Sequence, residues 1–141
     1  MSAITDLATI LTGANVAVLG TSLFLGLTAV IPAGDGPFLS VVMTGGSGPE
    51  GTHNAVGLPA YQRPTAQIIA RGASTPAAEA LAIAAYTALW AVRNQFVNGV
   101  WWRQILPLQE PSEALGEDAD GRAQWSFNVA IEKRPNAAMS L

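Results

Sequence analysis

Between Asp6 and Asp35 the chain carries no charged residue, and from Asn15 to Gly36 it reads NVAVLGTSLFLGLTAVIPAGDG. A stretch of that kind either crosses a membrane or packs inside protein, and the choice limits every later statement about the fold. A spanning helix needs about 20 predominantly apolar residues. The candidate, Val16 to Ile31, is shorter, and Gly20, Thr21, Ser22, Gly26 and Thr28 interrupt it. Pro32, Gly34 and Gly36 then end any helix. No Lys or Arg precedes Arg63, so no positive flank would orient a span. The punctuation predicts two short extended segments, VAVL and LFLGL, buried in a core or at a subunit contact. The opening MSAITDL lacks the basic region of a secretory signal, and the expectation is a soluble chain.

Composition sharpens this. Only 12% of the 141 residues are charged, against roughly 25% in an average soluble domain. Half are apolar, so the chain cannot cover its own surface with charge and must present apolar area to a membrane, a partner chain or copies of itself. The length fits one domain spanning residues 1–141. The net charge of −3 argues against a protein that grips nucleic acid, because neutralising phosphates requires a basic surface. With no cysteine, disulfides, thiolate metal sites and a cysteine nucleophile are excluded.

Ile4, Leu7, Ala8 and Leu11 share one helical face, with Ser2 as a possible cap and Gly13 as the stop. FLSVVM, Phe38 to Met43, alternates little and predicts a strand covered on both faces. Thr44 to Pro64 is rich in Gly and Pro and predicts a long functional loop that is mobile in the isolated protein. Thr65 to Gly72 alternates as a strand. Thr75 as N-cap and Pro76 at the first helical position predict an Ala-rich helix from Pro76 to about Val97, ended by Asn98-Gly99. No charge falls between Glu79 and Arg93, so this helix is apolar on more sides than one sheet can cover. The side bearing Ile83, Tyr86 and Trp90 is therefore a candidate subunit contact.

Val100 to Leu108 predicts a strand ended by Pro107, and Gln109 to Arg122 an acidic loop holding five of the ten carboxylates. Trp125, Phe127, Val129 and Ile131 alternate strictly and predict a strand facing the core beneath the long helix. The end of the chain, about 135–141, reads as a flexible tail. This order predicts a single α+β domain: a mixed or antiparallel sheet flanked by a short N-terminal helix and one long Ala-rich helix.

Little here resembles an active site. His53, the sole histidine, lies in the Gly-rich loop without a nucleophile or acid placed to make a triad. TGGSGPEG lacks the Lys-Ser/Thr that closes a phosphate loop, and EDADG lacks the ordered ligands of a calcium loop. The four tryptophans could stack bases, yet such a groove needs a basic track. No cofactor, metal or catalytic residue is expected. A small hydrolase or nucleotide-binding enzyme using His53 and the Gly-rich loop stands as the alternative, and a membrane-associated protein held by Val16 to Ile31 as another.

In order and spacing, LGTSLFLG, TGGSGPE, YQRPTAQIIARG, AAEALAIAAYTAL and ILPLQEPSEALGEDADGRAQWSFNVAIEKR resemble the tail terminator, or tail completion, proteins of long non-contractile-tailed phages. These are also described as minor capsid proteins. The resemblance runs from about Gly20 to Arg134, and LTAVIPAGDGPF departs from it in being more apolar. It implies a small α+β fold and a non-catalytic virion protein. It further implies a homo-hexameric ring at the head-proximal end of the tail tube, assembled in the host cytoplasm. Its partners would be the tail tube protein and the head-tail connector proteins, with DNA passing through the lumen unbound. Ile83, Tyr86, Trp90, His53 and Tyr61 are the expected subunit or tube contacts.

Overall fold

The computed structural model describes residues 3–26, 34, 36–50, 61–113, 116 and 121–135. The elements are α1 (Ala3–Gly13), β1 (Leu23–Leu25), β2 (Phe38–Glu50), β3 (Tyr61–Gly72), α2 (Thr75–Trp90), β4 (Arg93–Val97), β5 (Val100–Pro107) and β6 (Ala123–Lys133). The strands form one six-stranded sheet in the order β1-β2-β3-β6-β5-β4. Only β1 and β2 are parallel, so the sheet is mixed and the domain is α+β, as expected. Both helices pack on the same face of the sheet.

Period-two alternation builds the core. Phe127, Val129 and Ile131 of β6 are fully buried, opposite Ala66 and Ile68 of β3 and Ile105 of β5. Trp125 is half-buried at the margin of the same face. Leu7, Ala8 and Leu11 of α1 close one side of this core, and Ala78, Ala82, Ala85 and Leu89 of α2 lie along the other. Small residues on α2 let its backbone approach the sheet, leaving room for larger side chains from the strands.

Four expectations need correction. The long helix stops at Trp90, not near Val97. Arg93–Val97 instead forms β4, paired with β5 through a two-residue turn at Asn98-Gly99. Both turn residues have positive φ, 50° and 80°, the geometry that joins twisted antiparallel strands and that Asn-Gly adopts readily. Cross-strand pairing outweighs continued helix: Val97 meets Val100, and the Phe96 and Trp101 rings meet edge-on at 5.0 Å. Arg93 fixes the exit, donating from Nη1 to the carbonyls of Val92 and Ile105 at 2.7 and 3.0 Å. Its guanidinium lies 4.6 Å over the Trp90 ring.

The N-cap of α2 is Ser74, not Thr75; its hydroxyl accepts from the Ala77 amide at 3.4 Å. The expected loop Thr44 to Pro64 is strand at both of its described ends. β2 continues to Glu50 and β3 starts at Tyr61, with register shifts after Met43 and Ser47 that absorb the glycines. Gly46 is required there, since at φ 138° any side chain would run into the Arg63 carbonyl. FLSVVM does alternate: Leu39 and Val41 are buried, whereas Phe38, Ser40 and Val42 on the other face are only half-covered.

Of the two expected N-terminal strands, LFL forms β1 beside β2, and Leu19 of VAVL makes one isolated bridge to Leu23. Ser2, His53, most of the acidic turn and the 136–141 tail lie outside the described residues.

Candidate interaction surface

The apolar excess of α2 resolves into two parts. Ala78, Ala82, Ala85 and Leu89 face the sheet, while Ile83 and Trp90 remain 49% and 48% exposed. Tyr86 lies between these classes. It is half-buried, and its ring meets Phe127 edge-on at 5.5 Å, so it ties the helix to the core as well as reaching the surface. Trp90 is one turn beyond Tyr86 and already carries Arg93 on its ring.

Beside Ile83 and Tyr86 runs a groove of about 430 Å³ between α2 and the segment after β5. Glu79 and Thr87 of α2, Glu110, Pro111 and Trp125 complete its lining. That segment is positioned by strand-like bonds to β6: the Leu108 amide donates to the Asn128 carbonyl at 2.8 Å, and Ser112 and Ser126 exchange amide-to-carbonyl bonds of 3.0 and 2.9 Å. The Thr75 hydroxyl donates to Glu113 at 3.4 Å and links the same segment to the start of α2. The groove thus offers two carboxylates over an aromatic and aliphatic floor.

Tyr61 stands at the other end of the sheet, where β3 begins. The guanidiniums of Arg103 and Arg134 lie over its ring at 5.2 and 5.4 Å. Arg103 also meets Glu132 at 3.5 Å. Next to them Lys133 is buried, donating from Nζ to Gln62 Oε1 at 3.1 Å and to the Arg134 carbonyl at 3.0 Å. Burial pushes its ammonium below the usual 10.5, and the negative charge of Asp6 acts in the opposite direction.

Asp6 is itself fully buried and accepts from the Asn98 amide at 2.8 Å; that amide also lies 3.0 Å from the Thr9 hydroxyl. The tip of the β4–β5 hairpin is thereby latched onto α1. A second, shallower groove of about 410 Å³ lies beside this latch, bounded by Ile10 of α1, Ala88 and Ala91 at the end of α2, and Phe96 of β4.

The five sequence candidates therefore do not form one site. Ile83 and Tyr86 share the α2 groove, Trp90 lies beyond it, Tyr61 is at the opposite end of the sheet, and His53 is outside the described residues. The tryptophans do not make a common platform either: Trp102 is fully buried, Trp90 sits on α2, and Trp101 and Trp125 are half-buried in different strands. Sequence reasoning missed Phe96, 69% exposed, and Leu108, 59% exposed. Reading Asn98-Gly99 as a hairpin turn would have placed Phe96 on an edge strand.

Among the described residues no group of three or more His, Asp or Glu is arranged to hold a metal ion, and no helix is long and apolar enough to cross a membrane. The family model for bacteriophage tail terminator proteins matches residues 10–134. The chain belongs to this family. Membership makes it a structural component of the phage tail, a role that asks for contact surfaces of the kind just described. Among curated proteins none matches the chain. As a tail terminator family member it exposes large apolar side chains at Ile83 and Trp90 of α2, at Phe96 of the hairpin edge, at Leu108, and at Val18 and Leu19 ahead of β1.

Proposed function

We propose that the protein closes the head-proximal end of the phage tail tube as a ring, stops tube growth there, and presents the surface to which the head connector joins. The family match over residues 10–134 carries this reading. The ring is of six copies, and it acts without catalysis. Composition supports the need for copies: a chain with 12% charged residues and an α2 flank that its own sheet leaves exposed has apolar area to bury between subunits. Ile83 and Trp90, with the reachable edge of Tyr86, are contact residues, as are Tyr61 and His53. DNA passes through the lumen without specific binding, and the whole chain acts as one unit in the virion after assembly in the host cytoplasm.

Deleting the gene and measuring tails by electron microscopy tests this. Tubes of uncontrolled length that fail to join heads are expected. Tubes of normal length that still carry heads would end the proposal.

A further inference from the structure

We propose that the groove between α2 and the Glu110–Pro111 segment receives Arg103 and Arg134 from an adjacent copy of this chain. The proposal rests on the ring reading above and gives its subunit contact a place.

The groove selects for a cation. Glu79 and Glu110 supply two carboxylates, and among the described residues no Lys or Arg lines it. Its floor includes Ile83, Tyr86 and Trp125, an apolar and aromatic surface. A compact, strongly hydrated ammonium gains little from such a floor. A guanidinium, planar and weakly hydrated, stacks on aromatic faces while donating to carboxylates. The fitting occupant is an exposed arginine pair.

The chain presents one. Arg103 comes from β5 and Arg134 directly follows β6, and both guanidiniums are held over the Tyr61 ring. The shared ring limits their freedom before any contact forms, which lowers the ordering cost of docking. Each end holds a group of the other sign, Glu132 beside Arg103 and Arg122 just before β6, so the complementarity is local to the groove and the arginine pair.

Position then decides between contact within one molecule and contact between copies. Trp125, in the groove, lies near the start of β6, and Arg134 directly follows its end. Nine residue steps along the strand separate them, roughly 30 Å at the usual strand rise. No arginine side chain spans that gap. Between copies, one patch meets a different patch, which is the head-to-tail arrangement that closes into rings.

The test uses phage lacking the gene, with variants supplied in trans and the yield of tailed particles counted. A wild-type copy that failed to restore tails would count against the ring reading itself, separately from the groove. Given restoration, Glu79→Arg with Glu110→Arg is expected to lower the yield about tenfold or more, the scale on which facing like charges oppose a contact. Arg103→Glu with Arg134→Glu is expected to do the same. All four reversals together restore opposite charges between the groove and its occupant and are expected to recover most of the wild-type yield. Tolerance of either pair, or a fourfold variant as defective as the pairs, would overturn the contact. If a reversed pair does not fold, judged by its circular dichroism melt, Glu79→Gln with Glu110→Gln replaces it, and an unchanged yield overturns the contact. Duplex DNA is the competing occupant of the arginine end. Fluorescence anisotropy with a short duplex that responds to the arginine pair alone, without rescue by the fourfold variant, would assign that end to phosphates and refute the proposal.

Discussion

Phe127 has no exposed surface and braces Tyr86 edge-on, so its ring joins β6 to α2. Phe127→Ala is expected to cost about 3–5 kcal/mol in a denaturant melt, the sum of lost transfer energy and the cavity left behind. A loss below roughly 1 kcal/mol would show that the face is not held as described. Six residues on, Lys133 occupies the same face of the strand, yet it carries an ammonium. Its folded pKa is lowered by burial below the usual 10.5. Between the two values the unfolded chain binds more protons, so this group makes stability rise with pH across that window. The stability of the wild type minus that of Lys133→Met is therefore expected to be flat below the folded value and to grow as pH climbs toward 10.5. Paired denaturant melts across the alkaline range measure it, and a difference that shrinks with pH would contradict the assignment.

The elements differ in how plainly the sequence announces them. β6 alternates Trp125, Phe127, Val129 and Ile131 against a helix layer, and α1 repeats Ile4, Leu7, Ala8 and Leu11 on one face; both patterns are local consequences of burying one side. The end of α2 is not local. AVRNQFV contains no strong helix breaker, and Asn98-Gly99 serves equally as a helix stop and as a hairpin turn. Only the partners on β5, made later in the chain, settle it. The interaction surface shows the same divide. Exposure at Ile83 and Trp90 follows from a helix with too many apolar sides, whereas Glu110 reaches the groove because Ser112 pairs with Ser126, and Tyr61 gains its arginines from β5 and from the residue after β6. The hairpin also gives a test at this scale. Asn98→Gly keeps the positive φ and removes only the amide that reaches Asp6. It is expected to cost about 2 kcal/mol, as a buried carboxylate loses its donor. A cost under about 0.5 kcal/mol in a thermal or denaturant melt would mean that the latch does not hold α1.

Across the whole molecule, the helices cover one face of the sheet, and no described helix lies on the other. That open face mixes polar side chains, Ser40, Thr65, Gln67, Gln104 and Asn128, with the half-covered apolar Phe38, Val42 and Ile69. The strand order has a different effect. β6, the last strand made, sits between β3 and β5, which do not pair with each other. A chain stopped after Gly121 is therefore expected to lack a cooperative melt, and a peptide covering Arg122 to Leu141 is expected to restore one when added. A truncated chain that melts cooperatively alone would refute this. Until β6 is in place, the inward edges of β3 and β5 both lack their partner, and the unfinished chain is most open there to pairing with a neighbouring chain.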